Sequence, residues 1–98
     1  RARQWIEARL KAQATLVAAE KGVAECGPEI PEAVRNAVSA AMKAVQTALD
    51  EEVAGTGVGP LEKLKAAHAH LDETSQPLAE LLMERAMDEM LRRRGVIS

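Results

Sequence analysis

The side chains with reactive potential in this 98-residue chain are two histidines, one cysteine and a short acidic run. His68 and His70 stand two apart, which turns them to different sides of a helix, whereas a helical metal pair needs a spacing of three or four. His68 falls on an apolar stripe and reads as a core or boundary histidine. Cys26 has no visible activating partner, and a Cys–His catalytic pair with either histidine would need an accident of folding. Asp50, Glu51 and Glu52 read as the solvated end of a helix; a carboxylate metal site there would need further ligands that nothing identifies. Ala54-Gly55-Thr56-Gly57-Val58-Gly59 alternates three glycines, but Pro60 follows, and no Lys-Ser or Lys-Thr completes a phosphate loop. It reads as a flexible interhelical loop. No hydroxyl occupies a nucleophile-elbow pattern. The residues therefore describe a helical domain that binds or covers something. They predict no enzyme, no metal and no cofactor within the chain.

The elements that hold these residues are helices. Val34, Val38, Ala41, Val45, Ala48 and Leu49 recur at three- and four-residue steps, which places them on one helical face. That stripe is narrow and built of small residues, so it needs a helix closely packed on each side. Pro31 suits the first turn of this helix, where its missing N–H would be unpaired anyway. The preceding helix carries Trp5, Ile6, Leu10, Leu16, Val17 and Val23 and stops at Gly27-Pro28. After Pro60, a single helical phase runs through Leu61, Leu64, His68, Leu71, Ser75 and Leu78 and on to Leu82, Ala86 and Met90. Pro77 interrupts it, and a proline inside a helix costs about 3 kcal/mol. A kink or tight restart near Ser75–Pro77 is expected. The expectation is an all-α antiparallel bundle of three long helices, the third kinked or split near Pro77. Helices fall at about 2–26, 31–53, 60–75 and 77–94, all in one domain.

Composition supports this class. There is no Phe, no Tyr and one Trp, so Leu, Val, Ala and Met must fill the core, which favours helix on helix over a sandwich or barrel. A net charge of −2 gives no electrostatic case for nucleic acid as a partner. No apolar run approaches the roughly 18 residues of a membrane span, and no signal peptide is visible. A lone cysteine fits a reducing, cytoplasmic setting. The chain begins at Arg1 and reads as a piece of a longer protein. Two surfaces stand out. Trp5 and Ile6 lie at the far end of the first helix, where Trp5 either packs on this domain or faces a neighbour outside it. Leu78, Leu81, Leu82, Met83, Met87, Met90 and Leu91 make the last helix apolar over more than one face. They read either as core with spillover or as a docking face, since methionines adapt to irregular partners. The candidate docking residues are thus Trp5, Ile6, Met83, Met87, Met90 and Leu91, with self-association of the chain as one use.

In order and spacing, nearly the whole chain resembles the C-terminal helical lid of the seventy-kilodalton heat-shock chaperones, the DnaK family. Trp5-Ile6-Glu7-Ala8-Arg9 is similar to the apolar-apolar-Glu-Ala-Arg stretch of the long lid helix. Gly27-Pro28-Glu29-Ile30-Pro31-Glu32 resembles the turn after it. Leu71-Asp72-Glu73-Thr74-Ser75-Gln76, followed by Leu78-Ala79 and Met83-Glu84, resembles the late segment of the members specialised for iron–sulfur cluster assembly, the HscA type. The resemblance implies a lid that closes over an unfolded-peptide site in a preceding β-sandwich of the same protein. It also implies a separate ATP- and Mg-dependent nucleotidase domain, outside these residues. Client peptides would be contacted only indirectly. Arg9 falls where a latch arginine would be, and Gln13 and Val17 follow where some members carry an acidic residue and a histidine, which puts an ionic latch of the usual kind in doubt. Pro77 and the three-glycine loop depart from the pattern. The ending Val96-Ile97-Ser98 has no acidic Glu-Glu-Val-Asp tail. The alternative is a stand-alone helical interaction or dimerisation module.

Overall fold

A computed structural model describes residues 2–95; Arg1 and the Val96-Ile97-Ser98 ending lie outside the described residues. The described chain is all-helical. Helix α1 spans Ala2–Cys26, α2 Glu32–Asp50, α3 Leu61–Thr74 and α4 Gln76–Gly95, with a 3-10 turn at Gly27–Glu29. Among the described residues, extended pairing is limited to one isolated bridge between Val53 and Val58.

Local chemistry sets each boundary. Gly27 takes φ +46°, a left-handed conformation that costs glycine little. The Gly27 carbonyl then accepts the Ile30 N–H at 3.2 Å and also the Arg35 guanidinium, which ties α2 back to the end of α1. Ile30 is extended, as the residue before a proline tends to be, and Pro31 caps α2, its carbonyl accepting the Arg35 N–H. Ser75 both ends α3 and starts α4. Its N–H donates to Leu71 O at 2.9 Å, and its carbonyl accepts from Ala79 N at 3.0 Å. Pro77 therefore sits in the first turn of α4, where it removes no helical hydrogen bond.

The three-glycine stretch differs from its sequence expectation of a flexible loop. Val53 N–H donates to Val58 O at 2.9 Å, Gly57 N–H donates to Val53 O at 2.7 Å, and Gly57 takes φ +66°. The segment is a closed turn that reverses the chain between α2 and α3.

The core is where α1, α2 and α3 meet. Trp5, Ala12, Leu16 and Ala19 of α1 face Val38, Ala41, Val45 and Ala48 of α2 and Leu64 and Leu71 of α3. The α2 stripe is buried as its periodicity requires, and its alanines let the neighbouring backbones approach. A smaller cluster of Cys26, Ile30 and Leu78 seats the start of α4, with Val23 and Val34 packing on both clusters. Gly22 supplies the close approach there. A Cβ on it would lie 3.0 Å from Leu78 Cδ2 and 3.3 Å from Leu82 Cδ1.

The helical phase expected to continue through Ala86 and Met90 does not bury those residues. Leu78 is buried and Leu82 half-buried, but every described side chain from Met83 to Arg94 is exposed. The reason is length. Helix α1 stops at Cys26, and the turn after it meets α4 through the Arg85 Nη1–Glu29 Oε1 pair at 3.1 Å. Beyond it α4 continues alone, and the molecule extends 62 × 26 × 17 Å.

Candidate functional site

Trp5 and Arg9 are one helical turn apart on α1 and both reach the residues that follow α2. The Trp5 indole donates Nε1–H to Glu52 Oε1 at 2.5 Å, and Arg9 Nη1 donates to the same oxygen at 2.7 Å. These bonds hold the Glu52 carboxyl below its ordinary pKa, the indole N–H contributing most and the arginine next. The other face of the clasp is Gly59, where a Cβ would fall 2.5 Å from Trp5 Cη2. Only a residue without a side chain lets the turn close over the ring. Beside this, Lys63 pairs with Glu51. The acidic run thus has specific partners at Glu51 and Glu52, unlike the solvated end expected from sequence.

Trp5 is fully buried, and this removes it from the candidate docking residues. Of the two readings of Trp5, packing on this domain is the one observed, because the turn after α2, not a helix, covers it. Arg9, the candidate latch residue, is engaged within the chain by Glu52. Gln13, the second latch candidate, is exposed.

Two apolar surfaces remain uncovered, and they are separate. The first lies on α1, where Ile6, Leu10, Gln13 and Val17 follow steps of four, three and four, the spacing of a packing seam. Ile6 is 41% exposed, Leu10 58% and Val17 62%. The row is a second helical stripe of the sequence, and of its apolar members only Ile6 is among the docking candidates drawn from sequence. The second lies on the far half of α4, where Met83, Met87, Met90 and Leu91 are each more than half exposed. Ile6 belongs to the Trp5 end of the bundle and the methionines to the opposite end, so the docking candidates do not form one face.

The groups with reactive potential are kept apart. Cys26 is buried against Ile30 and Leu78. His68 instead sits between α1 and α3, with Nε2 2.8 Å from Thr15 Oγ1 and 3.6 Å from Asp72 Oδ2. It is a boundary histidine holding two helices together. It borders a groove of about 430 Å³ in which Glu7, Lys11, Lys65 and Asp72 mix acidic and basic charge. His70 is exposed. Among the described residues no group of three or more His, Cys, Asp or Glu side chains is placed to hold a metal ion. No described helix is long and apolar enough to cross a membrane. No family model matches the chain, and neither a curated protein nor a solved structure matches it.

Proposed function

We propose that this chain is the helical lid of a chaperone of the seventy-kilodalton heat-shock type, closing over an unfolded-peptide site in a β-sandwich of the same protein and slowing release of the peptide. The observation that carries the reading is the open row Ile6-Leu10-Val17 on a 25-residue helix whose opposite side is already packed in a core. A helix that is apolar on two sides has two layers to cover. The first is α2 and α3, and the second is supplied by the sandwich. The order of residues along the chain supports the same assignment, from Trp5-Ile6-Glu7-Ala8-Arg9 through Gly27-Pro28 to Leu71–Gln76. In this reading the bundle of α1, α2 and α3 stiffens the long helix, and α4 continues the third helix past the split at Ser75. Because Arg9 is held by Glu52, closure rests on the apolar row more than on an ionic latch.

The test is stopped-flow release of a labelled peptide from the full-length protein, with and without this segment, in one nucleotide state. Faster release without the segment supports the lid. Equal off-rates would leave the second reading, a stand-alone interaction module, which the separate methionine face of α4 favours.

A further inference from the structure

The uncovered face of α4 is self-complementary, and we propose that it pairs antiparallel with the same face of a second copy of this chain. The pairing is independent of the lid reading.

Three observations carry it. First, the apolar stripe of α4 changes sides. Leu78 and Leu82 face the bundle, and Arg85 continues that side by reaching Glu29. At 100° per residue, Met83, Met87 and Met90 lie on the side turned away from the bundle. None of the described helices of the same chain covers them. Second, Met87, Met90, Leu91 and Arg94 enclose a hollow of about 120 Å³ on that side. Their spacing of zero, three, four and seven is that of a hole which receives one side chain from a facing helix. A methionine of an opposed α4 is a flexible knob suited to it. Third, charge is graded along α4. Glu80 and Glu84 outnumber Arg85 on its first half, whereas Arg92, Arg93 and Arg94 outnumber Asp88 and Glu89 on the second, with Arg93 lying 3.6 Å from Glu89 of the same helix. Parallel pairing sets arginine beside arginine. Antiparallel pairing sets the arginine end of one copy beside Glu80 and Glu84 of the other, and it also opposes the two helix dipoles.

The seam is short. It runs only from Met83 to Arg94 on each copy, about three helical turns, whereas stable specific interfaces bury roughly 1,200–2,000 Å² in total. The dimer is therefore weak and reversible, and it forms at high protein concentration.

Sedimentation equilibrium of this chain over a wide concentration range tests the proposal, with circular dichroism to check that each variant stays helical. The wild type shifts from monomer to dimer as concentration rises. Met87→Glu, at an exposed position, abolishes the shift. Glu80→Lys/Glu84→Lys and Arg93→Glu/Arg94→Glu each weaken dimerisation at low salt, and the four changes together restore it. A chain that stays monomeric throughout, or a dimer indifferent to Met87→Glu, overturns the pairing and leaves the face to a different protein. A quadruple variant no better than either double variant overturns the antiparallel arrangement.

Discussion

Trp5 is the largest side chain in the core, yet it sits at the end of the first turn of α1, where a bundle end normally frays. Glu52 and Gly59 hold it there, one by a hydrogen bond and one by having no Cβ. The position of Gly59 allows a direct test. Gly59→Ala forces a methyl to within 2.5 Å of the ring, so ring or turn must move. The expected cost is about 1–3 kcal/mol, typical of overpacking. Urea unfolding followed by intrinsic fluorescence reads both effects, since the sole tryptophan should also emit at longer wavelength as it gains contact with water. Glu52 adds a pH dependence whose sign is fixed. Its carboxyl titrates lower when folded than when unfolded, so the folded state binds the proton less readily. The stability it contributes is complete above the ordinary glutamate pKa and is lost as pH falls through the depressed folded value. Glu52→Gln keeps an acceptor for the indole but removes the charge. Its melting temperature should therefore fall less steeply with acidification than that of the wild type, and parallel acid profiles would show that the clasp is not charge-assisted. None of this was legible in the sequence. The acidic run and the glycine run each have a common surface reading, and only the chain reversal at Val53–Val58 brings both to Trp5.

At the scale of elements, the legible features were those with local causes. The stop at Gly27, the start at Pro31, the α2 stripe and the restart near Pro77 all follow from backbone preference or from a 3.6-residue period. The faces of α1 and α4 were harder to read, because periodicity shows that a stripe exists but not whether a neighbour reaches it. Leu16 and Val17 are adjacent and equally apolar, and one is in the core while the other is in water. For α4 the deciding quantity was the length of α1, since the helix remains apolar after its neighbour has ended. The seating of α4 through Gly22 leads to a prediction of its own. Gly22→Leu places a large side chain where Leu78 and Leu82 now pack, so α4 should lift from the bundle while α1, α2 and α3 stay associated. Native-state hydrogen exchange should show protection lost from about Leu78 to Arg85 and kept in α2. In the wild type the amides beyond Arg85 should already exchange faster than those of α2, because only helical hydrogen bonds protect them. Uniform loss in the variant would mean that α4 and the bundle unfold as one unit.

At the scale of the whole molecule, the arrangement is a rigid end and a free end. The Trp5 end has a core on one side of α1 and the open row Ile6-Leu10-Val17 on the other, whereas the α4 end has only a surface. A lid need not grip its peptide to matter. It must favour the closed state, and that effect appears in the rate of escape. Coupling between such an equilibrium and a ligand site is commonly about 1–3 kcal/mol, or roughly 5–150-fold. On the lid proposal, deleting this segment from the full-length protein should speed peptide release within that range. The row on α1 permits a finer test that leaves the fold intact. Ile6→Glu/Val17→Glu changes two side chains that the bundle does not bury, so helicity and melting temperature should hardly change. Against an apolar partner surface, the same change strands two charges and should reproduce most of the effect of the deletion. Arg9→Ala acts differently, because its loss loosens Glu52 and Trp5 before it reaches any partner. It should lower stability along with closure, and the two variants separate on that ratio. A double glutamate variant that folds normally and releases peptide at the wild-type rate would mean that the α1 row does not meet the sandwich, even if deletion of the segment still speeds release.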